Sequence, residues 1–134
     1  MTAFFKPKAL LSDTVKSKKI EKNGSNSTHV VGVFSHHRDA KVALEELKDA
    51  GFPSNWITLF ARDFRRYSWS PGLTIHNCFN EETFNFDRIS QHFFRRLFQR
   101  GKYLVLVTGN GNDVNSAGII MGRRRNHSKV WLVK

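Results

Sequence analysis

Cysteine is almost missing from this sequence. Cys78 stands alone among 134 residues, which excludes an internal disulfide and any cysteine-based metal cluster. A reducing compartment is the expected setting. Acidic residues are also scarce: 11 Asp and Glu face 22 Lys and Arg, for a formal charge of +11 and a pI of about 10.3. Such a balance bears on partners and not on fold, and the surfaces it suits are nucleic acid, an anionic membrane face or an acidic protein assembly. No stretch approaches the roughly 18 consecutive apolar residues that a membrane-crossing helix needs. The first residues lack the apolar core and small-residue cleavage site of a secretory signal. A soluble, cytoplasmic protein is the expectation.

What is present suffices for one core, since 40% of residues are hydrophobic and 12 Phe and 3 Trp are among them. One domain with a tail is expected, the tail over residues 1–28 and the domain over 29–134, with an insertion at 63–101. The domain opens on His29-Val30-Val31-Gly32-Val33-Phe34, a β-branched and aromatic run of the kind buried on both faces of a sheet. Ser35 stands at the expected N-cap of a helix, with Asp39 near the positive end of its dipole. Ala40, Ala43, Leu44 and Leu47 then recur at helical spacing, while Lys41, Glu45, Glu46 and Lys48 take the wet side. Gly51 is the expected C′ residue, Phe52-Pro53-Ser54-Asn55 turns the chain, and Trp56 to Ala61 is the second strand. Together these make a βαβ unit.

Val31 to Ser35, Arg38-Asp39-Ala40, Ala43-Leu44, Leu47, Ala50-Gly51-Phe52 and Ala61-Arg62-Asp63 resemble the N-terminal βαβ of a small bacterial general-stress-protein family abundant in cyanobacteria. The resemblance covers about a quarter of the chain and implies that a second strand-helix-strand closes the domain. The glycine-rich apolar segment usual in that family is absent here.

The tail carries six lysines, Lys6, Lys8, Lys16, Lys18, Lys19 and Lys22, against Asp13 and Glu21, and ends in the linker-like run Asn23 to Thr28. Phe4-Phe5 and Leu10-Leu11 are apolar points in this polar segment. It is either a solvated basic extension or an arm that binds a partner. Between Asp63 and Asn85 the chain is irregular, and Arg65, Arg66, Tyr67 and Trp69 interleave cations with aromatics. Loops this long in compact domains are usually functional. The aromatics are suited to stacking on bases or docking into a protein, and equally to covering the edge of the core.

Phe86 to Arg100 reads as a second helix, with Asp87 as cap and Gly101 as stop. Phe86, Ile89, Phe93 and Leu97 are its expected inner stripe, widened by Phe94 and Phe98. Arg88, Arg95, Arg96 and Arg100 occupy the polar side with no acid after Asp87, a face suited to an anionic partner or to plain solvation. Phe86-Asp87-Arg88-Ile89-Ser90-Gln91, then Phe93, Arg95 and Gly101-Lys102, resemble the helix and following strand of the phycobilisome rod-cap and core linker domain. Ser90 stands where that family has Asn, and Arg100 where it has the first Gly. The resemblance implies a small, basic, non-enzymatic protein seated against acidic pigment proteins.

Tyr103 to Thr108 is an unbroken apolar run fit for a central strand. After Gly109, Asn110 or Asn112 caps a helix whose inner face is Val114, Ala117, Gly118 and Met121; Arg123-Arg124-Arg125 closes it and Lys129 to Val133 is the last strand. The order βαβ, inserted helix, βαβ predicts an α+β, ferredoxin-like sandwich with helices on one face of the sheet.

No pattern specifies catalysis. The Gly109-Asn110-Gly111-Asn112 turn lacks the lysine of a phosphate loop and the spacing of a dinucleotide fingerprint. His36-His37 has no third ligand in view, and Glu45-Glu46 and Glu81-Glu82 are adjacent where an acid/base dyad needs carboxylates that face each other. Arg100 to Val107 begins like the third-strand consensus of RNA-recognition motifs but lacks the stacking aromatics. The sequence thus predicts a non-enzymatic linker or adaptor, without cofactor or metal, that docks on a large acidic assembly. Guided by the two resemblances, that assembly is a cyanobacterial light-harvesting complex, phycobilisome or photosystem, in the cytoplasm or at the cytoplasmic face of the photosynthetic membrane. The expected partner-binding residues are Phe4, Phe5, Lys6, Lys8, Lys16, Lys18, Lys19, Arg65, Arg66, Tyr67, Trp69, Arg88, Arg95, Arg96 and Arg100. The alternative is a nucleic-acid- or ribosome-associated stress protein that uses the same cations on phosphate.

Overall fold

A computed structural model describes residues 28–79, 87–123 and 128–133. Five strands, β1 (Thr28–Phe34), β2 (Ile57–Phe60), β3 (Thr74–His76), β4 (Tyr103–Gly109) and β5 (Ser128–Val133), form one mixed sheet in the order β3-β2-β4-β1-β5. Three helices accompany it, α1 (His37–Asp49), α2 (Arg88–Gln99) and α3 (Gly111–Met121). β4 runs antiparallel to both β1 and β2, and β5 antiparallel to β1, so the two βαβ units interleave in the ferredoxin-like manner. The unbroken apolar run Tyr103 to Val107 does occupy the centre of the sheet. β3 adds a short parallel edge against β2.

Alternation along the strands sorts side chains onto two faces. Val30, Phe34, Ile57, Leu59, Tyr103, Val105 and Val107 meet α1 and α3 in one cluster. Val31, Val33, Phe60, Leu104 and Leu106 meet Phe94 and Phe98 of α2 in another. The expectation that all helices share one face is therefore corrected: α2 lies on the opposite face and makes a third layer. The reason is compositional. Val31, Val33, Leu104 and Leu106 are as apolar as their neighbours, and a bare ferredoxin-like sheet would leave them wet.

α1 buries the predicted stripe, Ala40, Ala43, Leu44 and Leu47. Its start is corrected by one residue: His36 is the N-cap, with an extended backbone and no capping side chain, and Ser35 instead accepts a hydrogen bond from Lys102 Nζ at 2.9 Å. Both predicted glycine stops are present. Gly51 and Gly101 have φ of 98° and 92°, and the following amides, Phe52 N and Lys102 N, return to Leu47 O and Leu97 O at 3.1 Å each. That is the Schellman ending, which L side chains disfavour. In α3 the cap falls on Asn110, whose Oδ1 accepts from Asp113 N at 3.0 Å. Its buried residues are Val114, Ala117, Ile120 and Met121, with Gly118 at the flank.

At Gly32 a side chain of α3 packs directly onto the sheet backbone. A Cβ there would lie 2.7 Å from Met121 Sδ, so the gap in β1 is the space that the buried Met121 side chain fills.

Candidate docking surface

The sequence-predicted site residues fall into three groups. Phe4, Phe5, Lys6, Lys8, Lys16, Lys18 and Lys19 lie outside the described residues, as do Phe86, Glu81-Glu82 and Arg124-Arg125. Arg65 and Arg66 are exposed on a single 3-10 turn, Phe64–Arg66, with the Arg65 guanidinium 5.3 Å from the Phe64 ring centre.

Tyr67 and Trp69, beside that turn, are half-buried and engaged by their own domain. Tyr67 stacks on His37 with ring centres 3.6 Å apart and planes 9° from parallel. Trp69 packs against the α1/α3 core, donates Nε1–H to Phe64 O at 3.0 Å, and meets the Tyr103 ring at 6.1 Å. The loop thus clips the β2 end of the sheet to α1, the core-covering alternative left open by the sequence. The Tyr103 hydroxyl completes the clip by donating to Asp63 Oδ2 at 3.1 Å. Burial, then that hydrogen bond and the Asp63 charge, push the Tyr103 pKa well above its ordinary value.

The third group is on α2. Arg88, Arg96 and Arg100 are exposed, while Arg95 lies flatter, its guanidinium 5.3 Å from the centre of the Phe79 ring. Arg96 and Arg100 sit at the negative end of the helix dipole, and Arg62 Nη1 also reaches that end, donating to Gln99 O at 2.6 Å. No acid occurs between Arg88 and Lys102, so the outward surface of α2 has a single sign.

The predicted inner stripe of this helix is overturned. Phe94 and Phe98 are the buried residues, Leu97 is half-buried, and Ile89 and Phe93 are 79% and 41% exposed. Two stripes compete in this sequence, Ile89-Phe93-Leu97 and Phe94-Phe98, and they lie about 100° apart on the helix. Phe94 and Phe98 take the sheet, and the first row is turned to the flank, where Phe93 packs edge-on against Trp131 of β5 with ring centres 5.2 Å apart. Reasoning from sequence missed Ile89 and Phe93 as surface residues. The signal was there: five apolar side chains on a twelve-residue helix form a sector too wide for one sheet contact.

Among the described residues, the remaining surface offers little for chemistry. A recess between Leu44, Phe52, Ile57 and Leu73 is too small to enclose more than a water molecule. Among the described residues no three His, Cys, Asp or Glu side chains gather to hold a metal ion, and no helix is long and apolar enough to cross a membrane. The Asn110 side chain already occupies one backbone N–H of the α3 start, where an anion would otherwise be held. Compared with protein-family models, curated proteins and solved structures, the chain shows no match.

Proposed function

We propose that this protein is a non-enzymatic basic adaptor that docks on a large acidic protein assembly. The observation that carries this reading is the outward surface of α2, where Arg88, Arg96 and Arg100 stand exposed with no acid on the helix. A net charge of +11 adds long-range attraction to the same kind of partner. The two sequence resemblances favour a cyanobacterial light-harvesting complex, phycobilisome or photosystem, as that assembly. Charge sets the encounter and buried apolar contacts set the lifetime of the complex.

The test is recovery of the tagged protein from its native lysate at moderate salt, with absorbance and nucleic-acid content measured on what accompanies it. Coloured material free of nucleic acid is the expected result. Uncoloured, nuclease-sensitive material would overturn the reading in favour of phosphate-backbone binding, whose affinity falls log-linearly with salt.

A further inference from the structure

We infer that the row Ile89-Phe93, on the outward flank of α2, is the recognition core of the docking surface, and that its occupant is an acidic amphipathic helix of a partner protein. The inference rests on the adaptor reading above and specifies the element of the partner that is bound.

Ile89 is the most exposed large hydrophobic residue among those described, and Phe93 is the second member of its row, one turn away. Phe93 is held in place by its edge-on contacts with Trp131 and Phe94, ring centres 5.2 Å away in both cases. The row is thus a fixed ridge one residue wide. Arg88, His92, Arg96 and Arg100 recur every four residues and form one exposed row along a single side of it, while the row on its other side is Ser90 with the buried Phe94 and Phe98. A ridge of two apolar side chains spaced i, i+4 and bordered along one side by cations is complementary to a helix with apolar residues at i, i+4 and carboxylates along the facing flank.

Other occupants fit worse. A second copy would bring the same arginines against themselves, and each copy carries +11. The tail of this chain is lysine-rich and has the same sign. A bilayer takes a broad apolar face, and the broad face of α2, Phe94 and Phe98, is already spent on the sheet. Nucleic acid would engage the arginines, but bases stack on aromatic rings, and here the most exposed apolar residue is the aliphatic Ile89 while the Phe93 ring is already packed against Trp131 and Phe94.

The test uses the full chain and a fluorescein-labelled helical peptide of about 18 residues, with leucines at i, i+4 on one face and glutamates along one flank of it. The expected result is saturable binding that Ile89→Ser weakens by about tenfold or more and Ile89→Leu restores. Arg96→Gln with Arg100→Gln should also weaken it and flatten its salt dependence. A scrambled peptide that binds equally well, absence of peptide binding, or equal binding by Ile89→Ser overturns the inference. So does an Ile89→Ser defect that is seen with phosphatidylserine vesicles or a single-stranded oligonucleotide and not with the peptide. The adaptor reading fails separately. If Ile89→Ser still recovers the acidic assembly from lysate and the arginine variants do not, only the ridge is wrong; if the wild-type chain recovers no acidic assembly, both are.

Discussion

The two faces of the sheet are built from the same residue types but covered in different ways. On one, α1 and α3 lie side by side and close a single cluster that runs from Ile57 and Leu59 through Val105 and Val107 to Met121, with Phe52, Trp56, Trp69 and Leu73 sealing its rim. On the other, among the described residues, α2 alone covers the centre through Phe94 and Phe98, with Phe79, Leu97, Trp131 and Val133 only half-buried around it. The first face spends its apolar residues on the fold. The second has more apolar surface than α2 hides, and it lines one side of the excess with arginine. Excess apolar surface rimmed by charge of one sign is the mark of an interaction site, so the weaker face is the one read as functional.

Core truncations are the strongest way to break that comparison. Phe34→Ala, at a fully buried position of the first face, is expected to lower stability by about 3–5 kcal/mol, seen as a fall in the urea midpoint. Phe98→Ala, 5% exposed under the lone α2, should fall at the low end of that range, about 3 kcal/mol, because fewer neighbours enclose the cavity it leaves. If Phe98→Ala costs more than Phe34→Ala, α2 is a full partner in the core and the division of labour between the faces is wrong.

How far the sequence disclosed this follows the same division. On the first face the buried stripe of α1 was legible to the residue in Ala40, Ala43, Leu44 and Leu47, because one apolar stripe faces one sheet and Gly51 ends it. β4 was legible as central because only an interior strand tolerates an unbroken apolar run. The second face was not, because period alone cannot say which of two adjacent stripes, Ile89-Phe93-Leu97 or Phe94-Phe98, meets the sheet. That choice is made by Val31, Val33, Leu104 and Leu106, which are distant in sequence. Gly32 was equally opaque, since its reason is Met121, 89 positions along the chain. Of the candidate site, the arginines were legible as charge without acid, but the apolar ridge beside them was assigned to the interior.

A smaller effect probes the clip at the β2 end. Tyr103→Phe removes the hydroxyl that donates to Asp63 Oδ2 and should cost about 1 kcal/mol at neutral pH. Its pH signature is more telling. The folded protein holds the Tyr103 pKa above that of the unfolded chain, so the unfolded state releases its proton first and binds fewer protons in between. Stability from this group is therefore complete below about pH 10 and declines as pH rises further. Urea midpoints measured from pH 9 upward should fall in the wild type and fall less steeply in Tyr103→Phe. Parallel profiles would show that the hydroxyl is not held by the fold.

The smallest expected change falls on the ridge itself. Ile89 is 79% exposed and is not a member of the buried cluster, so Ile89→Ser should shift stability by no more than about 0.5 kcal/mol in either direction. Serine has slightly lower helix propensity than isoleucine or close to it, so the backbone term is small as well. An Ile89 that belonged to the core, as its spacing with Phe93 and Leu97 suggests, would instead cost several times as much on loss of its side chain. Urea unfolding of Ile89→Ser beside Phe98→Ala therefore decides which stripe of α2 is inside. Near-silence at Ile89 with a large loss at Phe98 leaves the isoleucine without a role in the fold. Its place beside a row of exposed arginines then has to be explained by what binds there.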